Sequence, residues 1–74
     1  MGGVMIYTTA DGEKVELIVG DMVYIDEGDS VGDQEWTGTV VTVESDYFVL
    51  LPDGRGKLKR RIHPDRVVDI QITQ

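Results

Sequence analysis

The sequence contains no cysteine and a single histidine among its 74 residues. Without Cys there is no disulfide and no thiolate to act as a nucleophile or metal ligand, and one imidazole argues against a histidine-based metal centre. The longest apolar run is five residues, 47–51, whereas a membrane-spanning helix needs about 20. The first residues also lack the charged flank and long apolar stretch of a secretory signal. We therefore expect a soluble, cytoplasmic chain with no metal and no cofactor.

Basic residues are scarce and unevenly distributed. Seven Lys and Arg stand against 14 Asp and Glu, which gives a net charge of -7. Residues 1–54 hold 12 acids and one base, Lys14, for a net charge of -11, whereas residues 55–74 hold six bases and two acids, for +4. Because a local patch of charge, more than the total, decides what a surface attracts, the sequence predicts one acidic and one basic surface.

The apolar residues follow the pattern of strands. No 11-residue window has the apolar spacing of a helix, and short apolar runs are bounded by Gly, Asp and Pro, which predicts an all-β chain. Asp11-Gly12 predicts the tight turn of a hairpin, and residues 63–66 suit a single 3₁₀ turn. Gly38 lies inside a strand, where glycine often marks a close backbone approach. The predicted strands cover residues 4–9, 15–19, 22–26, 36–44, 47–51, 57–62 and 67–72.

This order predicts one domain in two parts. Residues 1–19 form an N-terminal hairpin packed on a barrel, and residues 20–74 form that barrel from about five strands, with the 3₁₀ turn before the last strand. Closing the strands on themselves removes the exposed edges of an open sheet. A chain this short has a small core, so self-association is an expected source of extra stability.

Two motifs carry a family resemblance. Gly20-Asp21-Met22-Val23, followed by Trp36-Thr37-Gly38-Thr39-Val40, resembles the start of SH3-like barrels of the KOW and Tudor type, and residues 63–67 resemble the 3₁₀ turn that feeds their last strand. The resemblance covers residues 20–72. It implies an SH3-like small barrel that works as a binding module in transcription, translation or chromatin complexes, or as a phage accessory protein. Residues 26–35 depart from it, because they are acidic where KOW-type RNA binders are usually basic.

The same two motifs are similar to the framework of plasmid-type dihydrofolate reductases. That family carries a Val-Gln-Ile-Tyr signature in its penultimate strand, whereas Lys59-Arg60-Arg61-Ile62 stands at the corresponding place here. No active-site residue can be transferred, and a small-barrel reductase stays a remote alternative. We expect a protein without enzymatic activity and assign no catalytic residue.

The leading hypothesis is protein–protein contact through the only Trp and its acidic neighbours. Acidic residues beside an exposed aromatic ring can hold basic or Pro-rich peptides, and Trp is favoured at binding hot spots. The simpler interpretation is a core Trp beside a solvated acidic loop, and the acids do not follow the spacing of an EF-hand calcium loop. A homo-oligomer formed through the apolar strand 47–51 is a second form of the hypothesis. The candidate residues are Trp36, Tyr24, Asp26, Glu27 and Asp29.

The alternative hypothesis is RNA or DNA binding by the basic segment 55–66. Strand alternation would place Lys57, Lys59 and Arg61 on the face opposite Leu58, Arg60 and Ile62, with Leu58 and Ile62 directed inward. Such a stripe could contact phosphates beside a stacking Tyr. The bases could equally pair with the chain's own acids or protect a sheet edge. The candidate residues are Arg55, Lys57, Lys59, Arg60, Arg61 and Arg66.

Overall fold

The computed structural model describes residues 3–28, 34–54 and 58–73, and these residues are all-β, as predicted. The only helical element in these ranges is one 3₁₀ turn, Pro64–Arg66, so they contain no helix that could cross a membrane. The strands are β1 (Val4–Thr8), β2 (Lys14–Ile18), β3 (Met22–Glu27), β4 (Gln34–Val43), β5 (Phe48–Pro52), β6 (Arg60–Ile62) and β7 (Val67–Ile72).

The strands form two antiparallel sheets. β1 and β2 make the predicted N-terminal hairpin, and the other five strands pair in the order β6-β5-β4-β3-β7. The predicted number of strands and the 3₁₀ turn before the last strand are therefore confirmed. The five-stranded sheet is not closed into a barrel, because β6 and β7 stand at its two ends and do not pair with each other in the described ranges. β6 has only three residues, and all three pair with β5.

The long strand β4 joins the two halves of this sheet. Its residues 34–39 pair with β3, and its residues 38–43 pair with β5, with a bulge between Val40 and Thr42. Gly38 lies where both pairings meet. A Cβ atom there would come within 2.8 Å of the Pro52 Cα and would also collide with the carbonyl group of Leu51. Gly38 therefore marks the close backbone approach that the sequence predicted.

The core lies between the hairpin and the inner face of the five-stranded sheet. Ile62 is buried as predicted, but Leu58 is 78% exposed, contrary to its predicted inward position. Leu58 precedes the strand, which begins at Arg60 and not at residue 57, so the alternation that would turn Leu58 inward has not started. The buried apolar side chains are Tyr7, Leu17, Val23, Ile25, Val40, Phe48, Leu50, Ile62 and Val67.

The buried Tyr7 holds the hairpin against the turn between β4 and β5. Its hydroxyl lies 2.5 Å from the Glu44 carbonyl oxygen and 2.9 Å from the Tyr47 carbonyl oxygen, and it accepts a hydrogen bond from the Glu44 N–H at 3.1 Å. Its ring packs at 5.4 Å from the ring of Phe48. One hydroxyl thus satisfies several backbone groups of a turn that lies far from it in sequence.

Candidate functional site

Trp36 lies on β4 with its ring on the inner face of the sheet. It pairs with the buried Ile25 of β3, and side chains of directly paired residues share a face. The ring packs against the edge of the core and is partly exposed. Its Nε1–H donates a hydrogen bond of 2.8 Å to the Glu27 carboxylate. Glu27, at the end of β3, therefore fixes the edge of the indole ring.

Arg60 covers the Trp36 ring from the end strand β6, two strands away from β4. It pairs with the buried Leu50 and so projects to the inner face of β6. Its guanidinium carbon lies 4.0 Å from the centre of the indole ring, within the range of a cation–π contact. One of its terminal nitrogens also lies 4.0 Å from Glu27 Oε1. Trp36, Glu27 and Arg60, here called the Trp36 cluster, thus connect β3, β4 and β6.

The sequence predicted only part of this cluster. It joined Trp36 with Glu27 at a protein-binding site, but it named Arg60 only as a candidate for nucleic-acid binding. Arg60 lies far from both along the chain, and strand periodicity gives each residue a face without giving it a partner on another strand. Self-neutralisation of the basic residues, which the sequence left open, is what the structure shows for Arg60.

An open groove of about 560 Å³ runs beside the Trp36 cluster. We call it the Trp36 groove. Its apolar lining residues are Trp36, Pro52 and the exposed Leu58, and its charged lining residues are Glu35, Asp53 and Arg60. The charge of Arg60 is close to that of Glu27, and the Glu35 side chain lies on the other face of the sheet as the partner of Asp26. The charge left over in the groove is therefore the negative charge of Asp53.

Tyr24 and Asp26 project from the opposite face of the sheet. They alternate with the buried Val23 and Ile25 along β3, so they lie on the face away from Trp36. The sequence had placed Tyr24, Asp26 and Trp36 in one binding surface, and the structure separates them. Asp29, the remaining predicted member, lies outside the described residues.

This outer face is strongly acidic. Asp26 pairs with Glu35 of β4 on one side and with Asp69 of β7 on the other, which places three carboxylates in a row across three strands. Partial burial of the Tyr24 hydroxyl, with the charges of these three carboxylates, raises the pKa of Tyr24 above its usual value. These like charges at paired positions repel one another. Together the three carboxylates make this face of the sheet electronegative.

The basic stripe is interrupted. Arg61 lies on the opposite side of β6 from Arg60, as alternation predicted, and its guanidinium carbon is 5.3 Å from the centre of the Tyr47 ring. Lys59 is exposed before the strand, and Arg66 is exposed in the 3₁₀ turn. Arg55 and Lys57 lie outside the described residues. Arg60 therefore contacts Trp36 and Glu27 of the same chain. Arg61 lies on the other face of β6, beside the Tyr47 ring.

The described ranges hold no group of three or more His, Asp or Glu side chains arranged to bind a metal ion. A second hollow, of about 440 Å³, lies between the hairpin and the 3₁₀ turn and is lined by Tyr7, Ser45, Asp46 and His63 among others. The Ser45 hydroxyl donates to the Asp46 carboxylate at 2.6 Å, and the His63 ring packs 6.0 Å from that of Tyr47. This is not the arrangement of a nucleophile beside its base.

No known protein family matches the sequence, and comparison with curated proteins and with solved structures finds no significant similarity.

Proposed function

We propose that this chain is a non-enzymatic protein-interaction module that holds an extended segment of a partner protein in the Trp36 groove. The observation that carries the proposal is the fixed position of the Trp36 ring, held by Glu27 at 2.8 Å and by Arg60 at 4.0 Å beside an open groove. A large aromatic side chain that is already ordered loses little entropy on binding, and Trp is enriched among the residues that dominate interfaces.

The lining of the groove favours one kind of partner segment. Pro52, Trp36 and the exposed Leu58 offer an apolar surface, which suits Pro or a branched aliphatic side chain. Asp53 adds negative charge at the same place, whereas Glu35 pairs with Asp26 and directs its carboxylate to the outer face. We therefore infer a segment that combines an apolar anchor with Lys or Arg, because charge complementarity selects the partner and speeds its association.

The order of the strands supports the SH3-like type as the architecture of this module. The last strand, β7, pairs with β3, the first strand of the five, while β4, β5 and β6 follow one another as neighbours. Together with the 3₁₀ turn before β7, this order supports the resemblance of the motifs at Gly20 and Trp36 to SH3-like barrels. We propose the SH3-like assignment on this ground, as an open sheet and not as a closed barrel.

RNA or DNA binding is the alternative, and the contact of Arg61 with Tyr47 favours it. A cation beside an exposed ring can bind a phosphate and stack on a base. Arg60 weakens this alternative, because it lies on the other side of the strand against Glu27. The negative charge of the chain also opposes a polyanion over distances of about a Debye length, roughly 8 Å at physiological salt.

Peptide selection followed by a fluorescence titration tests the proposal. The chain is immobilised and exposed to a library of random peptides, and the selected peptides are titrated against the free protein while the emission of its only Trp is recorded. We expect selected peptides that combine Lys or Arg with Pro or Leu and that bind more weakly at high salt. If no peptide is enriched, or if binding leaves the Trp36 emission unchanged, the proposed function is wrong.

A matched pair of variants locates the binding site. Leu58→Ser removes an exposed apolar residue from the groove, and Ile6→Ser removes another well-exposed apolar residue, 63% exposed against 78% for Leu58, from the hairpin. We expect Leu58→Ser to weaken peptide binding about tenfold and Ile6→Ser to leave it unchanged. Single-stranded oligonucleotides are titrated in parallel. Binding of an oligonucleotide that is lost in Arg61→Glu, without peptide binding, would establish the alternative.

A further inference from the structure

β7 and β6 form the two ends of the five-stranded sheet, and they differ in how they present their outer edges. β6 is three residues long and carries two Arg, features that discourage pairing with a foreign strand. β7 is six residues long, with the sequence Val-Val-Asp-Ile-Gln-Ile, and has no Lys, Arg or Pro. In the part of the chain that the structure describes, it pairs with β3 alone. β7 thus lacks the Lys, Arg or Pro that often protects an end strand, and its irregularity is confined to its start, before Asp69.

The backbone of β7 directs alternate hydrogen-bonding groups outward. The Thr73 N–H donates to the Met22 carbonyl at 2.8 Å, and in an antiparallel pair alternate residues use their N–H and C=O on the same side. The backbone N–H and C=O groups of Asp69 and Gln71 therefore point toward β3. Those of Ile70 and Ile72 point toward the free edge. Val68 is the extra residue where the pairing with β3 shifts register, so it is also unpaired on that side.

The open sheet also leaves apolar side chains of β7 partly uncovered. Ile70 and Ile72 pair with the buried Ile25 and Val23 and so belong to the inner face. Yet Ile72 is 46% exposed and Val68 is 40% exposed. Ile72 lies where a closed barrel would have continued its core, and a further strand beside β7 would cover both Ile72 and Val68.

We propose that β7 pairs with β7 of a second copy of this chain, antiparallel and about a two-fold axis at Ile70. In that register Val68 lies opposite Ile72 of the second copy, Asp69 lies opposite Gln71, and Ile70 lies opposite itself. Apolar residues then meet apolar residues on the inner face, and polar residues meet polar residues on the outer face. The pattern of residues 68–72 reads the same in both directions, which is the self-complementarity that a two-fold interface needs.

Other registers fit this edge less well. An axis at Asp69 would place two carboxylates opposite each other, which is destabilising. An axis at Gln71 would place Ile70 opposite Ile72 and Asp69 opposite Thr73, and it would lose the apolar pairing of Val68 with Ile72. The Val67 carbonyl already accepts a hydrogen bond from the Ala10 N–H at 2.8 Å, so the hairpin occupies only the residue just before this segment. The axis at Ile70 uses all of residues 68–72, and a second copy is the occupant that matches them.

Sedimentation over a wide range of concentration tests the dimer. We expect a monomer–dimer equilibrium that strengthens with salt, because both copies carry a charge of -7 that salt screens. Gln71→Lys would place a cation opposite Asp69 of the other copy twice and should tighten the dimer roughly 2- to 30-fold. Gln34→Lys makes the same change at an exposed position on β4 and should not tighten it. A chain that stays monomeric at high concentration at every salt overturns the proposal.

Disulfide capture tests the register, since the chain has no Cys of its own. A hydrogen-bonded antiparallel pair has Cα atoms about 5.5 Å apart, within the range of a disulfide. Ile70→Cys should therefore form a covalent dimer under mild oxidation. Ile72→Cys is the control, because its two copies would lie about 13 Å apart along the strands. If the Ile72→Cys variant forms the covalent dimer as fast as the Ile70→Cys variant does, the proposed interface is wrong. Circular dichroism of both variants is the control that each is folded.

This dimer and the Trp36 groove are separate, and their tests can fail separately. Salt should strengthen the dimer and weaken peptide binding, and Leu58→Ser should affect only the peptide. If dimerisation responded to Leu58→Ser but not to Gln71→Lys, the second copy would occupy the groove and not the β7 edge, and the proposed pairing would be wrong.

Discussion

The guanidinium of Arg60 lies 4.0 Å from the centre of the Trp36 ring, although one residue belongs to the basic end of the chain and the other follows its acidic segment. The contact shows that the separation of charge along the sequence does not persist as two independent surfaces. Glu27 completes the contact by bonding the indole N–H and lying close to the guanidinium. The groove beside them is therefore lined by an aromatic ring whose position is fixed.

Removing the Arg60 side chain should make the position of the Trp36 ring less ordered. We expect Arg60→Ala to lower the free energy of unfolding by about 0.5–2 kcal/mol, because the guanidinium is 41% exposed and cation–π contacts at such sites are of modest strength. Urea denaturation measures the loss, and the Trp36 emission of the native state should shift to longer wavelength. Lys59→Ala, at an exposed neighbour, is the control. Equal effects of both variants would mean that charge, and not the contact with the ring, is what matters.

Tyr7→Phe should destabilise the protein by about 1–3 kcal/mol, because it removes the hydroxyl that bonds the Glu44 carbonyl group inside the fold. The Glu44 N–H keeps its hydrogen bond to the Tyr47 carbonyl. The ring contact with Phe48 would remain. Tyr24→Phe removes a hydroxyl from the outer face and should change stability by less than about 0.5 kcal/mol. Thermal unfolding of the pair measures the difference, and similar melting temperatures would contradict the role given to Tyr7.

Gly38→Ala should be among the most damaging single substitutions. The added Cβ would meet the backbone of Leu51 and Pro52, which cannot move aside as a flexible side chain can. We expect a loss of at least about 1–3 kcal/mol, a large part of the stability of a small domain. Thr39→Ala on the same strand is the comparison, and it should cost less. If Gly38→Ala melts like Thr39→Ala, the close approach is not a constraint in solution.

Stability should fall at alkaline pH. The pKa of Tyr7 is raised mainly by burial, and that of Tyr24 by partial burial and the nearby carboxylates. The folded chain therefore holds these phenolic protons more tightly than the unfolded chain does. The stabilisation is fully present below the usual Tyr pKa of about 10 and is lost as pH rises through the higher pKa of the folded state. Urea midpoints measured from neutral to alkaline pH test this, and Tyr24→Phe should make the decline shallower.

The sequence predicted local features well. The strands, the hairpin, the 3₁₀ turn, the burial of Ile62 and the special place of Gly38 all follow from residue patterns over a few neighbours. It failed at Leu58, since the start of a strand in an irregular loop has no strong local signal. It also gave no sign that Arg60 contacts Trp36, and it expected a closed barrel. Both depend on how far the sheet curves, which is set by pairing between strands distant in sequence.

The attachment of the hairpin to the sheet has a kinetic consequence. The Tyr7 hydroxyl donates a hydrogen bond to Glu44 in the turn after β4, and the Ala10 N–H donates one to Val67 at the start of β7. Both hydrogen bonds join residues that are far apart along the chain. The hairpin is local and forms its own pairs quickly, whereas its docking needs a turn and a strand that come later in sequence. We therefore expect docking to follow the folding transition state. Tyr7→Phe should then accelerate unfolding and leave the refolding rate almost unchanged.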